Sequence, residues 1–308
     1  MIIANMQGGL GNQLFQYAAG RRLAYALDTE LKINFSGKQY ELNAFNIQEN
    51  FSTPEEIATT KLVKYAGGAL SSFIPQVLEL PDNIQLKGWL ENERYFTDIA
   101  DIIRKEFTLK NPLSPTAEAW REKILAAECA VSMHFRRGDF LRLGHLPQFA
   151  VVPLEYYLTA LKQLAELKPT VFVFSDDLPW CKENLKLDVP TEFVEGCKNY
   201  EDLHLISLCK HNIIANSTFS WWGAWLNQNP DKKVFVPIPN TFFDINRLYR
   251  GFTPTHYKYS SLDSERWIRI PFDMNKRLNN LLPPDYRNFY TVANLDAQDV
   301  SNINRARL

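Results

Sequence analysis

The hexapeptide His134-Phe135-Arg136-Arg137-Gly138-Asp139 carries the densest chemical potential in this 308-residue chain. It follows Ala130-Val131-Ser132-Met133, an apolar run that reads as a strand. Two guanidiniums therefore stand at a strand's C-terminal end, where open α/β sheets bind their ligands. Guanidinium is a planar, permanently charged fork that matches phosphate oxygens. An arginine pair beside a histidine and an aspartate points to a bound anion, with diphosphate the leading candidate. Asp139 is expected to hold Arg137 and so fix the loop, leaving Arg136 to face the ligand, with His134 beside it. A plain surface loop with one internal ion pair would use the same residues.

Three further segments have the composition of ligand-binding turns. Gly8-Gly9-Leu10-Gly11-Asn12-Gln13 follows a short apolar strand and opens a helix, so its backbone can approach an anion at a helix N-terminus. Its spacing is GGxG rather than the GxGxxG of dinucleotide folds, and no acid ends the next strand, which weakens a nicotinamide reading. Asn12 adds a donor and an acceptor at the turn. Asn216-Ser217-Thr218-Phe219-Ser220 places three hydroxyls where a strand passes into a helix; they can donate to a phosphate, cap the helix, or do both. Phe174-Ser175-Asp176-Asp177 ends another apolar strand. A carboxylate there can accept two parallel hydrogen bonds from guanine or can cap the following helix, and the sequence leaves both open.

The chain has no D-x-D spacing, so a metal-held diphosphate lacks its usual carboxylate clamp and Arg136 becomes the natural source of positive charge. His204 and His211 lack a metal-like partner set and read as structural.

Elements must bring these turns together. Residues 2–35 read as a strand, a helix over 13–27 and a second strand at 31–35. Strands are expected at 131–135, 171–174, 191–194, 212–215 and 234–236. Helices are expected at 154–167, 179–187, 201–210 and 219–228, and this alternation indicates a parallel sheet flanked by helices. Trp221, Trp222 and Trp225 are read as packing residues rather than sugar platforms. Residues 40–125 are less regular. The Pro-broken stretch Asn111-Pro112-Leu113-Ser114-Pro115-Thr116 is the best linker, which divides the chain into domains at 1–115 and 116–308. The last 18 residues read as peripheral.

The length exceeds what one core usually supports, and 45% hydrophobic residues can fill two. A net charge of −1 gives no basic excess for general nucleic-acid binding. Four cysteines without CxxC spacing argue against a disulfide framework and fit a reducing compartment. The start shows neither a basic region nor a long apolar run, so no signal peptide is expected. No 18-residue apolar stretch occurs. The expected location is cytoplasmic, with contact to an inner membrane face at most peripheral.

Taken in order, the Gly8-to-Gln16 segment, the His134-to-Asp139 hexapeptide, the Phe174-to-Asp177 strand end and the Asn216-to-Trp222 block resemble the α-1,2-fucosyltransferases of bacterial and blood-group type. Any one of the four is weak; the ordered set is specific and spans residues 1 to about 240. The resemblance implies a GT-B fold, with two Rossmann-like domains facing across a cleft: an acceptor-side domain at 1–115 and a donor-binding domain at 116–308. It implies GDP-β-L-fucose as donor, no cofactor or metal, and inverting transfer to the 2-hydroxyl of a galactose-terminated oligosaccharide such as lactose. By resemblance Arg136 contacts the β-phosphate, His134 and Asp176 engage the nucleotide, and Ser217, Thr218 and Ser220 touch the β-phosphate. Gly9, Gly11 and Asn12 lie beside the donor, with Asn12 near the reacting centre. A fucosyltransferase of other linkage or acceptor, or a binding module without catalysis, would show the same motifs.

Overall fold

The computed structural model describes residues 1–35, 37, 39–65, 73–141, 151–239 and 267–272. The chain opens with β1 (Ile2–Met6), α1 (Leu10–Ala26) and β2 (Leu31–Phe35), the expected βαβ unit. α2 (Pro54–Thr59), β3 (Lys61–Tyr65), β4 (Ile84–Gly88) and α3 (Ala100–Glu106) follow inside the stretch that looked irregular. The strands form a parallel sheet in the order β2-β1-β4-β3. β1 is buried at every residue, so it appears in sequence as an apolar run broken only by Asn5 rather than as an alternation.

Ser114 caps α4 (Pro115–Ala126), so the linker leads directly into the second unit. The five expected strands appear as β5 (Ala130–Phe135), β6 (Thr170–Ser175), β7 (Thr191–Phe193), β8 (His211–Ile213) and β9 (Val234–Pro239). Between them lie α5 (Leu154–Lys162), α6 (Leu178–Asn184), α7 (Asn199–Leu208) and α8 (Thr218–Leu226). β10 (Ile268–Phe272) adds an edge strand to a six-stranded sheet in the order β10-β9-β8-β5-β6-β7, with every pairing parallel. Such a sheet is covered on both faces by its crossover helices. This is the GT-B arrangement of two α/β units. The expected peripheral tail lies outside the described residues. No helix among the described residues is long and apolar enough to cross a membrane.

The two units meet where α1 packs against α8. Trp221 and Trp222 are buried among Phe15, Phe96 and Phe107 of the first unit, with Phe15 at 4.6 Å and 4.8 Å from the two indoles. Phe96 stacks on Trp222 at 5.3 Å. The three α8 tryptophans are therefore packing residues. Gly11 lies so close to α8 that a Cβ there would fall 2.5 Å from the Phe219 nitrogen. The indole N–H of Trp222 closes the seam by donating to the Gly11 carbonyl oxygen at 3.1 Å.

Candidate functional site

The C-terminal ends of β1, β5, β6 and β8 open onto one cleft of about 620 Å³ between the two units. β1 supplies the glycine turn. Gly8 has a φ of +78°, in the left-handed region, which glycine enters without steric cost. Gly9 is the extended N-cap of α1, and no side chain caps that helix. Gly9, Gly11 and Asn12 line the cleft. The Asn12 side-chain oxygen accepts from the Thr218 hydroxyl at 2.9 Å, which ties the turn to the start of α8.

β5 ends on His134 and Phe135, and the chain turns sharply through the arginines. Arg136 stays in the cleft, where its guanidinium meets Asp139 at 2.7 Å and Asp176 at 3.0 Å. Arg137 turns the other way and is buried. Its Nε donates to Asp177 at 3.0 Å, and its guanidinium lies 3.5 Å from the centre of the Trp180 ring. The expected Arg137–Asp139 pair is not formed. Successive side chains leave an extended segment on opposite sides. Arg137 is thus sent toward the start of α6, while the short turn Asp139–Leu141 folds Asp139 back onto Arg136, three residues earlier.

The two aspartates after β6 divide the roles that the sequence left open. Asp177 caps α6, accepting from the Trp180 N–H. Asp176 lines the cleft with both oxygens engaged: Oδ1 accepts from the Arg137 backbone N–H at 2.8 Å and Oδ2 pairs with Arg136. His134 is buried against Phe219, and its Nδ1 has no partner among the described residues. Burial, with the nearby Arg136 charge, pushes its pKa down to about 3, so the imidazole is neutral at ordinary pH.

Ser217 caps α8 through the Phe219 N–H, and both Ser217 and Thr218 line the cleft. Ser220 does not. It is fully buried, and its hydroxyl lies 3.3 Å from the carbonyl oxygens of Ala215 and Ser217. The expectation that it faces a phosphate is corrected here: one helical turn beyond the cap, a serine hydroxyl bonds back to the preceding turn.

The cleft also contains Asp202, Asn199 and Glu41, which carried no signal in the sequence. Asp202 follows Glu201 in the first turn of α7, and two acids there look alike. Glu201 does the capping, accepting from the backbone N–H groups of Lys198 and Ser114 at 2.8 Å each. Asp202 Oδ1 is buried without a partner among the described residues. Burial, and then the Glu201 charge, push its pKa up to about 7. Glu41 reaches the cleft from the first unit. Among the described residues no trio of His, Cys, Asp or Glu is placed to hold a metal ion.

A cleft between two parallel α/β units, lined by an arginine, a glycine turn and hydroxyls at a helix start, is the layout of the GT-B class of fold. The chain belongs to glycosyl transferase family 11, whose profile matches residues 1–248. It is 30% identical over 300 residues to an alpha-1,2-colitosyltransferase of Escherichia coli, covering 88% of this chain and 99% of that protein. It is also 30% identical over 279 residues to the E. coli O-antigen biosynthesis glycosyltransferase WbnK, covering 75% and 92%. Human galactoside alpha-(1,2)-fucosyltransferase 1 matches at 26% over 156 residues, 46% of this chain and 43% of that protein. Similar solved structures include fucosyltransferase NodZ from Bradyrhizobium (TM-score 0.46, 14% identity, 72% of this chain and 91% of that one). A POFUT1–GDP complex gives a TM-score of 0.47 at 16% identity, over 76% and 97%.

Proposed function

We propose that this chain is an inverting, metal-independent transferase that moves L-fucose from GDP-β-L-fucose to the 2-hydroxyl of a terminal β-galactoside. In this reading residues 116–308 hold most of the donor, the glycine turn of residues 1–115 closes on its diphosphate, and the rest of that unit faces the acceptor. The observation that carries it is Arg136, the one cation among the described residues lining the cleft, which α8 enters by its N-terminus. A departing GDP gains negative charge while positive charge grows at the sugar's anomeric carbon. Arg136, the Ser217 hydroxyl, which accepts from the Phe219 N–H and keeps its own proton to donate, and the backbone N–H groups that open α1 and α8 are donors for that charge, so little reorganisation is needed as it develops. Asp139 and Asp176 use part of the Arg136 fork and leave further N–H donors for phosphate oxygens.

Guanine presents two parallel N–H donors. Asp176 has both oxygens occupied, whereas Asp202 keeps a buried oxygen unpartnered, so Asp202 is assigned the base edge. His134, neutral and with an Nδ1 unpartnered among the described residues, contributes a hydrogen bond to the nucleotide rather than a charge.

The test is incubation with GDP-fucose and lactose, with and without EDTA, reading GDP release and the product linkage by NMR. An α-1,2-fucosylated lactose formed in EDTA is expected. GDP binding without release would make the chain a binding module. A product at another hydroxyl would change the linkage, and loss of turnover in EDTA would overturn the metal-free chemistry.

The 30% identity to a colitosyltransferase favours a second reading in which the donor is GDP-colitose, whose sugar lacks the 3-hydroxyl of fucose. Competition between the two donors in the same assay separates them.

A further inference from the structure

Four carboxylates line a cleft proposed to hold an anionic diphosphate: Glu41, Asp139, Asp176 and Asp202. Asp139 and Asp176 are offset by Arg136. The other two have no cation beside them among the described residues, so they suit the hydroxyl- and N–H-rich part of a nucleotide rather than its phosphates. Asn199 and Asp202 stand three residues apart in the first turn of α7, on one face of the helix. Asn199 donates through Nδ2 to Glu41 Oε1, so Glu41 and Asp202 border the same end of the cleft from opposite units.

Glu41 is held by contacts from both units. Gln13, fully buried in α1, donates to the carbonyl oxygens of Gly8 and Gln39 and accepts from the Glu41 N–H at 3.0 Å. This stitches the segment after β2 onto the glycine turn and brings Glu41 Oε2 within 3.7 Å of where a Cβ on Gly9 would lie. Asn199 and Gln39 both donate to Oε1, and no donor among the described residues reaches Oε2. In dinucleotide-binding domains an acid after the second strand, beside the glycine turn, accepts from ribose hydroxyls. Here that acid comes later in the chain, and the Gln13 stitch delivers it.

We propose that Glu41 accepts hydrogen bonds from the 2′- and 3′-hydroxyls of the donor's ribose, so that the first unit reads the ribose while the second supplies Arg136 to the diphosphate and Asp202 to the base. The order along the cleft fits. Glu41 adjoins the glycine turn, which faces the phosphates, and Asp202 lies further along α7 at the base. The inference rests on the cleft being a nucleotide-sugar site but not on which base or sugar it takes.

Calorimetric binding of GDP and 2′,3′-dideoxy-GDP to the full chain, its Glu41→Ala variant and its Glu41→Gln variant tests it. The native chain should prefer GDP by about 10- to 100-fold, the range for hydrogen bonds to a charged acceptor. Glu41→Ala should bind GDP that much more weakly and lose the preference, and Glu41→Gln should fall between. Undiminished preference in Glu41→Ala overturns the proposal. So does a Glu41→Gln variant that loses transfer yet discriminates like the native chain, which would move Glu41 to the acceptor. If the native chain binds ADP or UDP through their diols but not GDP, the donor reading falls and this one stands. If no nucleotide binds, both fall.

Discussion

The Thr218 hydroxyl donates to the Asn12 side-chain oxygen at 2.9 Å across 206 residues of chain, joining the glycine turn of one unit to the start of α8 in the other. The bond aims the remaining Asn12 amide group, so two turns from separate units act as one surface. Asn12→Ala and Thr218→Val should each lower kcat/KM for donor about tenfold, and the double variant should fall little further. Such coupling between contacting residues is typically about 0.5–3 kcal/mol. Additive losses in a double-mutant cycle would show that the two turns act independently.

Removing the Arg136 charge should slow transfer by about 10²–10³-fold, the scale of losing one fixed donor to developing charge. Arg136→Ala should melt close to the native temperature, because its side chain is one-third exposed and its pairs are at the surface. Steady-state kinetics beside a thermal melt checks both parts. Retained turnover would refute the phosphate role.

Arg137→Ala should do the reverse. It removes a buried guanidinium stacked on Trp180 and paired with Asp177. A loss of about 2 kcal/mol in unfolding free energy is expected, below the usual figure for breaking a buried pair because Asp177 is partly exposed. Chemical denaturation measures it directly.

Gly11→Ala places a methyl against the α8 backbone at a separation that no Cβ tolerates. The seam must part slightly, at a cost of about 1–3 kcal/mol, typical of overpacking. The displaced Asn12 should lower turnover as well, so both the melting temperature and kcat should drop.

Asp202 gives the cleft a pH dependence. Its folded pKa is about 7 against an ordinary 3.8, so in the empty protein it stays protonated well above its unfolded pKa. From this group alone, stability rises as pH falls from 7 toward 4 and is flat above 7. A donor that needs the carboxylate follows the opposite course, with affinity dropping about tenfold per unit below pH 7. A GDP-sugar has no phosphate group titrating near neutrality, so its KM across this range isolates the effect. Asp202→Asn should raise KM and flatten the profile.

The parallel sheet of the second unit was legible because β5, β6 and β9 are largely apolar runs and Ile213-Ile214-Ala215 marks the end of β8, all separated by helix-length segments. The four turns that line the cleft were legible because each follows such a strand. β4 was not: Gln85 interrupts its apolar pattern, yet it is buried there and donates to the carbonyl oxygens of Ile57 and Thr60. β3 is an edge strand whose Leu62 is exposed, so no buried run marked it. The arginine pairing was misread because sequence distance favours neighbours, whereas the reversal after Arg136 sends each guanidinium to a different partner. Glu41 and Asp202 left no trace because their importance arises from which carboxylate is already occupied, and that depends on contacts between the two units.

The aromatic seam limits how this enzyme can be recombined with its relatives. Helix α8 of the second unit completes its core with residues from the first unit, and α1 depends on Trp222 in return. A chimera cut at the 111–116 linker would split that shared core and unfold locally where the two turns should meet. Transplanting acceptor preference between family members therefore requires α1 and α8 to travel together, as a matched pair taken from one parent.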